Sequence, residues 1–151
     1  MGLAGCLLTS PSPPIERIPL MASITPFLMF KGDASQAISL YSEAFADTEI
    51  LSLETYSTGG LGKEGSVKRA SLRVLGQNFT VIDSAVEHEF DFTPSISLFV
   101  ECDSLEMLQA SYQKLSNQGE VLMPLNNYGF SKQFAWVTDR FGVSWQLNLS
   151  D

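Results

Sequence analysis

Residues 25–33, Thr25-Pro26-Phe27-Leu28-Met29-Phe30-Lys31-Gly32-Asp33, have an echo at residues 95–103, Ser95-Ile96-Ser97-Leu98-Phe99-Val100-Glu101-Cys102-Asp103. In the first copy Thr25, Phe27 and Met29 alternate with Ile24, Leu28 and Phe30, which predicts a strand over Ser23–Phe30 buried on both faces. Pro26 lacks the ladder donor, so this strand belongs at a sheet edge. In the second copy Ile96, Leu98 and Val100 share one face of a strand over Ser95–Val100. Each copy ends in an acid placed to cap a helix, Asp33 with Gln36 and Asp103 with Glu106 completing capping boxes. Apolar residues then recur at helical spacing, Ala34, Ala37, Ile38, Tyr41, Ala44 and Phe45 in one case, Leu105, Leu108, Tyr112 and Leu115 in the other.

Three strands follow each helix. After the first they read as Glu49–Ser57, Ser66–Val74 and Asn78–Asp83, with a glycine-rich loop at Gly59–Gly65 and a tight turn at Leu75-Gly76-Gln77. After the second, which Gly119 is placed to terminate, they read as Glu120–Pro124, Lys132–Thr138 and Val143–Leu149. The repetition is the main organisational fact of the chain. It predicts an α+β fold of two βαβββ modules, residues 22–85 and 94–149, joined around one core with helices outside and a concave sheet cleft.

Residues 21–151 are expected to form a single domain. The first twenty residues are Pro-rich over Ser10–Pro14 and read as an extended or disordered tail, and Met21 offers an alternative start. Leu3-Ala4-Gly5-Cys6 resembles a lipoprotein cleavage box but has only two residues before it, too few for a secretory signal.

Of the 151 residues, 44% are hydrophobic and 17% charged, as expected for an ordered domain. The net charge of -8 repels polyanions, so no nucleic acid and no membrane are expected among the partners. No stretch approaches the roughly 18 apolar residues of a spanning helix. The two cysteines, Cys6 and Cys102, stand in unrelated contexts and fit a reducing cytoplasmic setting, and with one histidine they cannot supply a four-ligand zinc site.

One face of the strands carries an organised set of side chains. Thr25, Phe27 and Met29, then Ser95, Ser97 and Phe99, then Ser144, Gln146 and Asn148 alternate out of phase with aliphatic rows. Such a lining suits a small-molecule pocket, and it equally suits the solvent face of an open antiparallel sheet. Gly59-Gly60-Leu61-Gly62-Lys63-Glu64 lacks the spacing of a phosphate-binding loop. His88, between Glu87 and Glu89, reads as a solvated loop histidine, and Trp136 and Trp145 read as core. Lys132, Asp139 and Arg140 are assigned to a turn and the surface.

Ile24 to Asp33, Ala37-Ile38, Tyr41 and the closing run Val137-Thr138-Asp139-Arg140-Phe141-Gly142-Val143-Ser144-Trp145-Gln146-Leu147-Asn148 together resemble a known family. It is the PhnB-like branch of the vicinal oxygen chelate superfamily, which includes glyoxalases, bleomycin-resistance proteins and extradiol dioxygenases. The resemblance spans Ser23–Leu149 and implies a glyoxalase-like fold and a homodimer. Active members bind a divalent metal through His, Glu and sometimes Gln. By the internal offsets those positions fall here at Thr25, Thr80, Ser95 and Gln146, three hydroxyls and an amide, which are weak ligands.

The expectation is therefore a small organic ligand bound without metal or other cofactor, contacted by Thr25, Phe27, Thr80, Ser95, Ser97, Phe99, Gln146 and Asn148. Whether any reaction is catalysed stays open. A metal-dependent lyase, isomerase or dioxygenase would need ligands from Asp83, Glu54, His88 or a partner subunit. A non-catalytic module binding a partner at an exposed sheet edge is the third alternative. The ubiquinone-precursor methyltransferase label sometimes attached to PhnB-like proteins has no support in these residues, which lack a glycine-rich strand-to-helix turn.

Overall fold

A computed structural model describes residue 11 and residues 21–151. The expectation for the N-terminal twenty residues otherwise lies outside the described residues. The first module contains β1 (Phe27–Phe30), α1 (Ala34–Ala44), β2 (Thr48–Thr55), β3 (Val67–Val74) and β4 (Gln77–Asp83). The second contains β5 (Leu98–Glu101), α2 (Leu105–Ser116), β6 (Glu120–Asn126), β7 (Gln133–Thr138) and β8 (Ser144–Leu149). Their sheets have the same order, β1-β4-β3-β2 and β5-β8-β7-β6. In each, the first strand runs parallel to the last, with Phe27 opposite Thr80 and Leu98 opposite Trp145, and the other pairings are antiparallel. The repeated βαβββ topology is as the offsets predict.

Edge position explains Pro26. It lies just before β1, where no donor is needed, and its carbonyl accepts from the Thr80 amide at 2.9 Å. The strand itself is shorter than its alternation suggested. Ile24 and Thr25 lie exposed outside β1, and Phe27 is 55% exposed, so burial on both faces does not occur and only Phe30 is fully enclosed. An edge strand that ends with its parallel partner cannot be covered further. β5 likewise starts at Leu98, leaving Ser95 outside it.

Both capping boxes are corrected. Asp33 makes no side-chain cap on α1. Asp83, at the end of the parallel neighbour β4, takes that role instead, Oδ1 accepting from the Gly32 and Ala34 amides at 2.9 Å each while Oδ2 accepts from the Val67 amide at 2.9 Å. A buried carboxylate satisfying three backbone donors replaces the local cap. On α2 the cap is Ser104, one residue later than Asp103, accepting from the Met107 amide at 3.1 Å. After α2, Gln118 with φ 60° adopts the left-handed conformation expected of Gly119. Gly119 is needed for another reason: a Cβ there would overlap the Thr138 carbonyl.

The modules meet through their helical faces. Tyr41 of α1 and Phe45, the residue that follows that helix, pack on Trp145 of β8, with centroids 5.1 and 5.3 Å apart, and the Ser111 hydroxyl of α2 donates to the Ala44 carbonyl at 3.0 Å. Phe79, Val81, Leu72, Val137 and Leu147 complete this core. By strand alternation the opposite sheet faces carry no helix; Thr80 and Gln146 stand on those bare faces. Trp145 belongs to the core as expected, while Trp136 lies half-buried on the bare face.

Asp139 departs from its surface assignment, being buried in the β7–β8 turn. Its Oδ1 accepts from the Phe141 and Val143 amides at 2.9 and 3.1 Å, and its Oδ2 from Trp145 Nε1 at 3.0 Å and the Tyr41 hydroxyl at 2.8 Å. Burial raises its pKa despite these four donors. Burial, with the Asp139 charge behind it, pushes the Tyr41 phenol well above its ordinary range, so Tyr41 remains a donor. No helix among the described residues is long and apolar enough to cross a membrane.

Candidate functional site

β1 leads out of the core into Lys31, and the connector after β4 returns beside it, Phe92 packing on Phe30. Along that connector His88, Phe90 and Phe92 recur at every second residue, and all three line a cavity of about 290 Å³ together with Phe27, Met29 and Phe30. His88 stacks on Phe90 with centroids 4.7 Å apart and planes 21° from parallel, and Phe30 packs on Phe92 at 5.2 Å. Lys31 and Asp91 also line it, with Lys31 Nζ 2.9 Å from Asp91 Oδ1. Both charged groups remain open to solvent, so their pairing adds little stability.

A second hollow of about 330 Å³ lies where β1 approaches β5. Phe27 and Phe92 serve both hollows, and here they meet Ser97, Ile96 and Ser144. The Ser97 and Ser144 hydroxyls are 2.7 Å apart, and Trp136 Nε1 donates to Ser144 Oγ at 2.8 Å. A third hollow of about 430 Å³ is lined by Ser97, Phe99 and Glu101 on one side and Val74, Leu75 and Gln77 on the other.

The structure thus brings Phe27 and Ser97 together, and Ser97 with Phe99. Thr25, Thr80, Ser95, Gln146 and Asn148 line none of these three hollows. Asn148 accepts from the Ser131 hydroxyl and donates to Glu101 Oε2 at 2.7 Å, tying the end of β8 to β5. That hydrogen bond, with further ones from Ser150, holds the Glu101 carboxyl below its ordinary pKa. Thr80 and Gln146 stand on bare faces of different sheets. Sequence reading missed His88, Phe90, Asp91, Phe92 and Lys31. The available signal was period-two alternation of ring side chains with acids over Glu87–Phe92, which reads as a polar connector when taken alone.

Thr25 and Ser95 lie exposed outside the strands, and Thr80 offers a hydroxyl, so with the Gln146 amide the four positions supply no charge to a divalent cation. The Asp83 carboxylate is spent on three backbone amides. Glu54 is exposed on β2, and His88 stands on the connector. Among the described residues no three His, Cys, Asp or Glu side chains gather to hold a metal. These residues do not fit the metal centre of the wider superfamily.

Residues 22–148 match the family model described as 3-demethylubiquinone-9 3-methyltransferase. The chain belongs to that family. It is the PhnB-like branch of the glyoxalase, bleomycin-resistance and dioxygenase superfamily. The chain is similar to a PhnB protein of Bacillus cereus whose description carries the same methyltransferase wording, with 46% identity and a TM-score of 0.82 over 85% of this chain and 100% of that one. Protein YjdN of Escherichia coli K12 is 22% identical over 140 residues, 83% of this chain and 94% of YjdN. A glyoxylase/bleomycin resistance protein/dioxygenase domain from Frankia shares the fold at 14% identity and a TM-score of 0.60, covering 87% of this chain and 93% of that domain.

Proposed function

We propose that this PhnB-like protein binds a small, mostly apolar organic molecule in the ring-lined cavity between β1 and the 84–97 connector, without a metal ion. The observation that carries the reading is the cavity itself: five apolar side chains and one imidazole line an open cleft of about 290 Å³, with a single ion pair at its side. Small-molecule sites combine apolar walls with few polar groups and start at about 300 Å³, so a ligand of one or two rings fits. The weak donors at Thr25, Thr80, Ser95 and Gln146 favour binding without a metal.

The description of the family names a methyl transfer. Support for that activity is thin here, because each sheet has a single parallel pair and neither is the open parallel sheet of the common methyltransferases. Strand addition at a sheet edge is also disfavoured: β2 and β6, the edge strands opposite β1 and β5, both carry register shifts, and β6 contains Pro124. The working form in this reading is a homodimer in the cytoplasm; the dimer is supported by the exposed apolar side chains Ile50, Leu51 and Leu53 of β2 and Phe99 of β5, which call for a cover.

The test is a thermal-shift screen of small aromatic molecules on protein dialysed against a chelator, repeated on Phe27→Ala. A ligand that raises the melting temperature of the stripped protein and loses its effect in Phe27→Ala supports the reading. Stabilisation that appears only when zinc, manganese, nickel or iron is restored would overturn it in favour of a metal-dependent enzyme.

A further inference from the structure

We infer that the occupant of this cavity is a planar aromatic cation, an inference that rests on the binding reading above and narrows it to one chemical class. The ring walls are the first reason. His88 and Phe90 are stacked nearly parallel, and Phe27 and Phe92 line the same space. The faces of the phenyl rings carry the negative part of the aromatic quadrupole and attract a delocalised positive charge. Charge is the second reason. Glu87, Glu89 and Asp91 alternate with the rings along the connector, and the chain as a whole carries a net charge of -8, so the approach to the cavity favours cations.

The third reason is that the cavity wall already includes a cation. Lys31 is one of the residues lining the cavity and its Nζ pairs with Asp91 Oδ1 at 2.9 Å, while no hydrogen bond or ion pair is formed by Asp91 Oδ2 among the described residues. A ligand cation competes with Lys31 for the same carboxylate. The two residues therefore act in opposite directions, Asp91 recruiting the ligand and Lys31 opposing it. An anionic ligand would invert both effects, which makes the signs diagnostic.

The experiment is calorimetric titration of the untagged protein with N-methylquinolinium, with quinoline, which is neutral at neutral pH, and with 1-naphthoate. Wild type, Asp91→Asn and Lys31→Gln are compared; both side chains are solvent-exposed, and circular dichroism checks that the variants fold. The expected result is binding of the quinolinium about tenfold tighter than quinoline. Asp91→Asn removes most of that preference and Lys31→Gln strengthens quinolinium binding. Equal or tighter binding of quinoline, or tightest binding of naphthoate with loss in Lys31→Gln, overturns the cation while leaving the cavity as a binding site. Failure of all three probes, when the thermal-shift screen still yields a Phe27-dependent ligand, also overturns the cation alone. Failure of the probes and of the screen overturns both readings.

Discussion

The phenol of Tyr41 donates a 2.8 Å hydrogen bond to Asp139 Oδ2, linking α1 of the first module to the β7–β8 turn of the second across 98 residues. Asp139 belongs to the closing motif that carries the family resemblance, and the contact gives that motif a physical task. It satisfies two turn amides, the Trp145 indole and the Tyr41 hydroxyl with one carboxylate. Tyr41→Phe removes one hydrogen bond to a charged acceptor and is expected to cost about 1.5–3 kcal/mol in urea unfolding. Asp139→Asn places an NH₂ against at least one buried donor and is expected to cost more, about 3 kcal/mol or above. An Asp139→Asn variant as stable as wild type would remove Asp139 as the link between the modules.

Asp83 is expected to be as sensitive for a different reason. Asp83→Ala leaves the Gly32, Ala34 and Val67 amides without their acceptor and loosens both the start of α1 and the start of β3. A loss of about 3–5 kcal/mol is expected, from several buried donors at roughly 1–3 kcal/mol each with partial relaxation. Amide hydrogen exchange locates the effect: faster exchange at Ala34 and Val67 agrees with it, and unchanged exchange there contradicts it.

Glu101 sets an acid-side dependence. Its carboxyl is held below its ordinary value of 4.5, first by the Asn148 hydrogen bond and then by those from Ser150. A lowered folded-state pKa means that the stabilisation is present above the ordinary value and fades as pH falls through the folded one. Wild type is therefore expected to melt above Glu101→Gln at neutral pH, with the gap closing as pH drops below about 4.5. A gap that is constant down to the acid limit would place the effect in shape and not in charge.

Cys102 is buried beside β8, and desolvation, reinforced by the neighbouring Glu101 charge, pushes its thiol up to about 11. The thiolate is the reactive form, so native Cys102 is expected to be inert to a disulfide reagent near neutral pH. In a Cys6→Ser background the single thiol should titrate only after denaturant is added. Prompt reaction in the folded state would show that the end of β5 opens easily.

Much of this fold is written into local pattern. Thr25 and Ser95, Asp33 and Asp103 announce the repeat because strand alternation and helical spacing are properties of neighbouring residues. Where the chain departs from that pattern, a distant partner has intervened. Asp33 has the right spacing to cap α1, yet it makes no side-chain cap, and Asp83 holds the neighbouring Gly32 and Ala34 amides from about fifty residues away. The site divides along the same line. Phe27 and Ser97 are legible from alternation, whereas Lys31 and Asp91 become neighbours only when the connector folds back over β1. His88 resembles a solvated residue between two glutamates until Phe90 is placed against its ring.

His88 is the single histidine of the chain, so its ring protons report on the proposed cavity without isotopic labelling. The decisive measurement is a one-dimensional proton NMR titration of untagged, metal-stripped protein with a small aromatic ligand found by thermal shift, following the His88 Hε1 and Hδ2 resonances. Saturable shifts of both resonances, lost in Phe27→Ala, are the expected result. A ligand that stabilises the protein while the His88 resonances stay fixed would place binding elsewhere and contradict the assignment of this cavity as the site.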